Sequence, residues 1–195
     1  MSIIEEKKTL RDMMRAKRRN LSKAVRENLS EKITARLSRE PFFQTNETML
    51  LYASLPEEVQ LFDLMKFMLG MKRKIAIPYI PEKGKMLAAE LTSMEDLTKD
   101  KFGILTVRED KRNIIMPETI GLIIAPGVAF TDKGDRLGMG GGYYDRFLRK
   151  NRPPAPRAAL AFDFQVVDKV PTNDEDEKVD FIITETRSIS VNKRV

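Results

Sequence analysis

Apolar residues recur along this chain in two patterns, one typical of amphipathic helices and the other of buried strands. Over the first forty residues they return every three or four positions, which predicts one helix over residues 3–20 and a second from Ser22 to just before Pro41. The same spacing predicts helices over residues 59–71 and 143–151. Short apolar runs between these segments predict strands at residues 48–53, 74–80, 86–91, 120–125, 157–162 and 179–184.

The alternation of strands with helices predicts an α/β fold. We expect a three-layer domain with a mainly parallel (mixed) central sheet and helices on both faces. Residues 78–91 resemble a hairpin with its turn at 81–84, and Pro78 favours an edge or strand-end position because proline cannot donate to a strand ladder. At 195 residues, the chain fits a single domain over residues 1–195.

The densest chemical pattern in the chain is a glycine-rich segment followed directly by a predicted helix. Five of the ten glycines lie between Gly134 and Gly142. Because glycine has no Cβ, such a segment can turn its backbone amides toward a ligand, and the start of a helix adds unbonded N–H groups. Arg136 and Arg146 supply cations suited to phosphate, and Asp145 supplies a carboxylate that Mg²⁺ could share with phosphate oxygens. The segment predicts a nucleotide-phosphate site, against the alternative of a flexible surface turn.

The segment matches neither of the two commonest glycine motifs. A Walker A loop ends in Gly-Lys-Ser/Thr, which the chain lacks. A dinucleotide fingerprint requires a third glycine where Tyr143 stands, and it should follow a strand at once, whereas a dozen residues separate Ala125 from Gly138.

Composition narrows the chemistry further. The chain has no cysteine and no histidine, which excludes thiol nucleophiles, histidine bases and Cys/His zinc sites. Any metal must therefore have oxygen ligands, which favours Mg²⁺, Mn²⁺ or Ca²⁺. The net charge of +6 suits anionic partners. No apolar run approaches the roughly 18–20 residues of a membrane span, and the first residues lack a signal-peptide pattern, so we expect a cytoplasmic protein with no membrane partner.

At this point the chain resembles a known family. Residues 136–145, Arg-Leu-Gly-Met-Gly-Gly-Gly-Tyr-Tyr-Asp, are similar to the signature of the 5-formyltetrahydrofolate cyclo-ligases, also called methenyltetrahydrofolate synthetases, and the likeness extends from Lys7 to Asp180. The resemblance implies a Rossmann-like sheet. It also implies ATP- and Mg²⁺-dependent closure of 5-formyltetrahydrofolate to 5,10-methenyltetrahydrofolate, giving ADP and phosphate through a phosphorylated formyl (imidate) intermediate. The chain departs from many relatives after Gly103, where residues 105–109 read Leu-Thr-Val-Arg-Glu.

The resemblance also implies a set of site residues. The implied ATP-binding residues are Lys7, Lys8, Thr9, Leu10, Arg11, Arg136, Leu137, Gly138, Met139, Gly140, Gly141, Gly142, Tyr143 and Tyr144. The implied folate-binding residues are Ala53, Glu58, Met139, Gly140, Gly141, Gly142 and Tyr143. The implied catalytic residues are Arg136, Tyr143 and Glu58, and the implied Mg²⁺ ligands are Asp145 and Asp180. The expected partners are ATP and 5-formyltetrahydrofolate, including its polyglutamylated forms, with no nucleic acid and a monomeric state.

Other interpretations of individual segments stay open from sequence. The basic helix at 3–20 also fits a solvated surface helix or an RNA-binding arm, and the glycine segment also fits a small-molecule kinase. The acidic run at 174–177 is typical of solvated surface, and we expect the tail from Ser188 to be loosely held.

Overall fold

The computed structural model describes residues 2–101, 103–151 and 154–191. Its helices are α1 (Ile3–Arg19), α2 (Lys23–Leu37), α3 (Pro41–Gln44), α4 (Phe62–Gly70) and α5 (Tyr143–Asn151). Its strands are β1 (Thr48–Leu50), β2 (Lys74–Tyr79), β3 (Leu87–Leu91), β4 (Leu97–Lys99), β5 (Leu105–Val107), β6 (Ile114–Ile115), β7 (Leu122–Ile124), β8 (Ala129–Phe130), β9 (Arg136–Leu137), β10 (Arg157–Leu160), β11 (Phe181–Ile183) and β12 (Ser188–Ser190).

Serine side chains set the starts of the first two helices. The Ser2 hydroxyl accepts a hydrogen bond from the Glu5 amide at 3.3 Å, and the Glu5 carboxylate accepts one from the Ser2 amide at 2.7 Å. The Ser22 hydroxyl likewise accepts from the Val25 amide at 3.3 Å. These bonds satisfy amides that have no partner within the helix, so each helix begins where the sequence predicts.

Eight strands form one mixed sheet in the order β12-β11-β10-β7-β1-β2-β3-β6. The five central strands, β11, β10, β7, β1 and β2, pair in parallel, whereas β3, β6 and β12 pair antiparallel at the two edges. The chain leaves β1 toward one edge of the sheet and leaves β7 toward the other. In open α/β sheets, ligands bind at such a change of direction, beyond the carboxyl ends of the strands.

Both faces of the sheet are covered, as the sequence predicts. Met49 and Leu51 face a core formed with α2, α3 and α4, while Leu50 between them faces a second core that includes Phe147 and Leu148 of α5. The same coverage explains why the central strand β7 is apolar and buried at every position: it has no solvent-facing side. The three-layer α/β fold is confirmed.

Helix α1 does not lie on the large sheet. Its Met14 packs instead against Val128, Ala129 and Leu137, which belong to the small β8–β9 hairpin. This hairpin leads directly into the glycine-rich segment. The first helix therefore supports that segment from behind.

The strand-end position expected for Pro78 is confirmed. Pro78 lies near the end of β2, beyond the Lys74–Ala76 stretch that pairs with β1, so no strand on that side needs its missing N–H.

Two other sequence-based expectations, for the tail and for the acidic run, need correction. The tail is held as far as Val191, because residues 188–190 form β12 and pair with β11. Residues 192–195 of that tail lie outside the described part of the chain.

The acidic run at 174–177 is not all solvated surface. Asp176 forms an ion pair with Lys7 at 2.5 Å, and Glu177 pairs with Arg157 at 2.7 Å. Two of the four acids thus connect this loop to α1 and to β10. Among the described helices, none is long and apolar enough to cross a membrane.

Candidate active site

Two cavities meet at the glycine-rich segment, beyond the carboxyl ends of β1 and β7. The first is mainly apolar and aromatic, and its lining includes Tyr52, Ala53, Leu55, Glu58, Pro78, Ile80, Met86, Ile104, Leu105, Met139, Tyr143 and Tyr144. The second is polar and is lined by Lys7, Arg11, Gly138, Gly140, Gly142, Asp145, Arg146, Arg149, Asn173, Glu175 and Asp176. Gly138, Gly142 and Asp145 line both. A flat apolar ligand in the first cavity and an anionic ligand in the second would therefore approach each other at these residues.

The glycine segment adopts a backbone conformation that suits an anion. Gly140 and Gly142 have φ values of +106° and +63°, which side chains rarely tolerate, and a Cβ on Gly142 would lie 2.6 Å from the Arg146 guanidinium. The amides of residues 138–142 donate to no acceptor within the described part of the chain. Together with the start of α5, they form a group of free N–H donors beside the polar cavity.

Arginines of α1 hold the segment through its carbonyl oxygens. Arg11 Nε donates to the Gly138 carbonyl at 2.8 Å, and an Arg15 Nη donates to the Met139 carbonyl at 3.0 Å. On the opposite side, Arg146 donates to the Gly141 carbonyl at 2.6 Å and to the Gly84 carbonyl at 2.9 Å. With its carbonyls bonded to these cations, the segment keeps its amides available to a ligand.

Arg136 is buried beneath this segment. It is 2% exposed, it forms an ion pair with Asp145, and it donates to the carbonyls of Pro126 at 3.0 Å and Glu177 at 3.3 Å. Its side chain borders the apolar cavity, not the polar one. The two carbonyls hold the Arg136 guanidinium in place, and the guanidinium in turn orients Asp145.

Glu58 is a buried carboxylate in the wall of the apolar cavity. It ends a tight turn after β1, where its Oε2 accepts from the Leu55 amide at 2.9 Å and its Oε1 lies 3.9 Å from the guanidinium of Arg18. Burial raises the pKa of Glu58, while the Leu55 hydrogen bond and the charge of Arg18 oppose this rise. The helix predicted over residues 59–71 begins only at Phe62, so Glu58 does not lie at its start.

Arg18 is the most deeply enclosed cation of α1. It is 1% exposed, and its other acidic neighbour is Glu57 at 3.5 Å. It also lies 3.9 Å from the Met139 sulfur. Arg18 thus connects the carboxylate of the apolar cavity with the glycine-rich segment.

Two adjacent tyrosines begin α5 and line the apolar cavity. The Tyr143 ring packs against Gly141, where a Cβ would approach it to 2.8 Å, and the Arg146 guanidinium lies 5.1 Å from its centre. Burial raises the pKa of both Tyr52 and Tyr144, and Glu58 adds to both shifts. Both phenols therefore remain protonated at neutral pH.

The implied metal ligands differ in their surroundings. Asp145 borders both cavities, and its Oδ1 accepts from Arg136 and from the Glu177 amide. Asp180 stands just before β11, where its Oδ2 accepts from the Arg157 amide at 2.8 Å, and it lines neither cavity. Among the described residues, no cluster of three or more acidic side chains could hold a metal ion.

The remaining implied ATP contacts are unevenly placed. Lys7 and Arg11 line the polar cavity. Lys8 and Thr9 are exposed to solvent. Thr9 and Leu10 border a separate shallow depression beside Pro171. Leu137 is 1% exposed and packs in the core behind the segment.

Several residues at the site are absent from the implied set. They are Arg15, Arg18, Tyr52, Arg146 and Asp176. The spacing of Arg11, Arg15 and Arg18 at i, i+4 and i+7 places them on one helix face and was a usable signal. Nothing local in sequence indicates that Asp176 meets Lys7.

Comparison with known proteins gives a consistent result. The family model for the 5-formyltetrahydrofolate cyclo-ligase family matches residues 3–185. A probable 5-formyltetrahydrofolate cyclo-ligase of Caenorhabditis elegans is 27% identical, over 97% of this chain and 98% of its own length. The 5-formyltetrahydrofolate cyclo-ligase of Escherichia coli is 25% identical, over 90% of this chain and 98% of its own.

A solved structure extends the likeness to three dimensions. The 5,10-methenyltetrahydrofolate synthetase of Aquifex aeolicus is 32% identical, with a TM-score of 0.85 over 97% of this chain and 94% of that one. The Mycoplasma pneumoniae synthetase, at 24% identity and a TM-score of 0.75, shares the fold.

Proposed function

The chain belongs to the 5-formyltetrahydrofolate cyclo-ligase family, and from this premise we propose that it uses ATP and Mg²⁺ to close 5-formyltetrahydrofolate to 5,10-methenyltetrahydrofolate. The observation that carries the proposal is the pair of cavities sharing Gly138, Gly142 and Asp145. One cavity has the flat apolar walls that suit a pterin, and the other has the cations and free amides that suit a triphosphate.

The chemical difficulty lies in the formyl group. A formamide carbon is a poor electrophile, so the formyl oxygen first attacks the γ-phosphorus of ATP, which expels ADP and forms an imidate phosphate. N10 of the folate then attacks the activated carbon and loses its proton to solvent, the carbon–oxygen bond breaks, and inorganic phosphate leaves. The protein has to align the formyl oxygen with the phosphorus and neutralise the developing charge.

Residues at the junction of the cavities suit these tasks. The amides of residues 138–142, with Lys7 and Arg11, would receive the phosphates. Glu58 and Tyr143 would orient the folate from the apolar side. Arg136, implied to be catalytic, would act by holding Asp145 in place, because its guanidinium already donates to Asp145 and is itself fixed by the carbonyls of Pro126 and Glu177.

The residues fit a magnesium ion that the nucleotide helps to hold. Mg²⁺ in such sites takes one or two protein carboxylates and completes its shell with phosphate oxygens and water. Asp145 offers Oδ2, which lies on the side of Gly138, while its Oδ1 is bonded to Arg136. Since Asp145 borders both cavities and Asp180 borders neither, the proposal for Mg²⁺ rests on Asp145. When bound, the ion would neutralise charge on the transferring phosphoryl group.

A third cavity adjoins the apolar one and suits a polyglutamylated substrate. It shares Ala53, Leu55 and Leu105 with the apolar cavity. Its lining carries the cations Lys23, Arg26 and Lys99 and one acid, Glu27, which lies 3.8 Å from the Lys23 ammonium. An anionic tail leaving the apolar cavity on this side would meet these cations.

The direct test is absorbance in the near ultraviolet, where methenyltetrahydrofolate absorbs and its 5-formyl precursor does not. Protein, Mg²⁺ and 5-formyltetrahydrofolate are mixed, and ATP is added last. We expect the absorbance to rise only after ATP is added. A flat trace from folded protein that still binds ATP would contradict the proposed reaction.

A further inference from the structure

The Tyr144 hydroxyl is a buried polar group without a partner. Its oxygen has less than 1 Å² of exposed surface and makes no hydrogen bond with any described residue. The other deeply buried phenol of the chain, Tyr52, donates to the Val59 carbonyl at 3.3 Å. Most buried polar side-chain atoms in proteins form at least one hydrogen bond, so a buried hydroxyl that forms none needs an explanation.

The position of Tyr144 separates it from the phosphate site. Its side chain lines the apolar cavity together with Tyr52 and Glu58, and it is not among the residues around the polar cavity. The family resemblance counts Tyr144 with the ATP-binding residues. Its side chain faces the region that suits the folate.

An unpaired buried hydroxyl lowers the stability of a folded protein. Leaving such a group without a partner costs the desolvation of that group, and a phenylalanine of the same shape avoids this cost. Stability alone would therefore favour phenylalanine at position 144. A ligand that completes the missing hydrogen bond would explain why the hydroxyl is useful.

We propose that the Tyr144 hydroxyl donates a hydrogen bond to the 4-oxo oxygen of the pterin ring while Glu58 accepts from the adjacent ring N–H and amino groups. This inference rests on the proposed function. One edge of a pterin presents an acceptor, O4, beside two donors, N3–H and the 2-amino group. A hydroxyl donor and a carboxylate acceptor in the lining of one cavity match that edge in sign.

The electrostatics of the wall agree with these roles. Burial, with the added effect of Glu58, raises the pKa of Tyr144, so the phenol keeps the proton that it must donate. Glu58 has Oε2 bonded to the Leu55 amide, whereas Oε1 is 3.9 Å from Arg18, beyond hydrogen-bond distance. Oε1 is therefore free to accept from the ligand, and each carboxylate oxygen has two lone-pair sites, so Glu58 has room for both ligand donors.

The test compares Tyr144→Phe with Tyr79→Phe. Tyr79 lies under the Arg112 guanidinium, 3.7 Å from its ring centre, and borders neither cavity, so Tyr79→Phe serves as the matched loss of a hydroxyl. Dissociation constants for 5-formyltetrahydrofolate and for ATP are measured by calorimetry, and Tm by thermal unfolding without ligands. For Tyr144→Phe we expect about tenfold weaker folate binding, unchanged ATP binding, and a Tm no lower than that of the parent protein. Tyr79→Phe should leave both affinities unchanged.

Each other outcome overturns the inference. Weaker ATP binding with unchanged folate binding would place Tyr144 at the nucleotide, and a lower Tm with both affinities unchanged would make its hydroxyl purely structural. Equal losses for both ligands would show a general disturbance of the site. If the parent protein does not bind 5-formyltetrahydrofolate at all, the proposed function fails first, which keeps the two failures distinct.

Discussion

At the scale of single residues, Glu58 and its neighbour Arg18 show how burial and charge are balanced in the site. Burial raises the pKa of Glu58, and Arg18, 3.9 Å away, favours its ionised form. The folate role needs the ionised form, because only a carboxylate accepts hydrogen bonds without donating one. Arg18 is therefore expected to keep folate binding strong toward lower pH.

Substitution of Arg18 should be visible in the pH dependence of binding. Arg18→Met removes the charge that stabilises the Glu58 carboxylate, so the pKa of Glu58 should rise and the loss of folate affinity on acidification should begin at higher pH. Arg18→Lys keeps the charge, so it should shift the pH at which folate affinity is lost much less. Calorimetric titrations across the acidic to neutral range give the profile. An unmoved profile in Arg18→Met would show that Glu58 does not depend on Arg18.

Glu58→Gln should separate stability from function. The pKa of Glu58 is raised in the folded protein. Its ionisation therefore disfavours the folded state once the pH exceeds the pKa that the carboxyl group has in the unfolded chain. The variant should therefore gain stability relative to the parent as the pH rises from acid to neutral, and lose about tenfold or more in folate affinity. Thermal unfolding at several pH values, with ATP affinity as control, checks both. A Tm difference that is constant with pH would contradict the raised pKa.

At the scale of elements, α1 acts as a support for the glycine-rich segment. Its apolar face packs on the β8–β9 hairpin, and Arg11 and Arg15 bond to the carbonyls of Gly138 and Met139. The basic character of this helix, which in sequence alone also suits solvent or RNA, is in part accounted for by contacts within the chain.

The support can be tested with two arginines of the same helix. Arg15→Ala removes the hydrogen bond to the Met139 carbonyl, so the amides of the segment should be less well oriented toward a ligand. The affinity for ATP should therefore fall by up to about tenfold. Arg19→Ala makes the same change in net charge at an exposed position and should have little effect. Equal losses in the two variants would mean that α1 contributes only through its overall charge.

The sequence predicts features that depend on neighbouring residues and does not predict contacts between distant segments. Helix starts, buried strands and the parallel sheet follow from local signals, such as Ser2 and Ser22 as caps and apolar runs without a polar face. Contacts between distant segments do not follow from such signals. Nothing near Asp176 indicates its pairing with Lys7, and the antiparallel return of residues 188–190 depends on the edge of β11.

The candidate site shows the same division. The resemblance identifies the glycine segment, Ala53 and Glu58, which do border one pair of cavities. It does not indicate that Arg136 lies beneath the segment or that Tyr144 points to the apolar side, because both depend on how α5 packs after the loop. The segment after Gly103, atypical in sequence, contributes Ile104 and Leu105 to the cavity wall.

At the scale of the whole molecule, the shared lining of the two cavities predicts coupling between the ligands. In the proposed reaction, a nucleotide bonded to the amides of the segment would order Gly138 and Gly142, which also border the apolar cavity. A non-hydrolysable ATP analogue should therefore tighten 5-formyltetrahydrofolate binding about fivefold or more, and the folate should tighten analogue binding by the same factor. Calorimetry in both orders of addition measures this. Independent affinities would contradict a shared loop.

The measurement that tests the central claim most directly is the stoichiometry of phosphate release. Phosphate and methenyltetrahydrofolate are quantified in the same reaction, with a parallel sample that lacks folate. If both ligands meet at the glycine segment and the formyl oxygen accepts the phosphoryl group, one phosphate should appear for each methenyl product, and almost none should appear without folate. Release of phosphate without folate, or a stable phosphorylated product in place of the methenyl compound, would contradict this account.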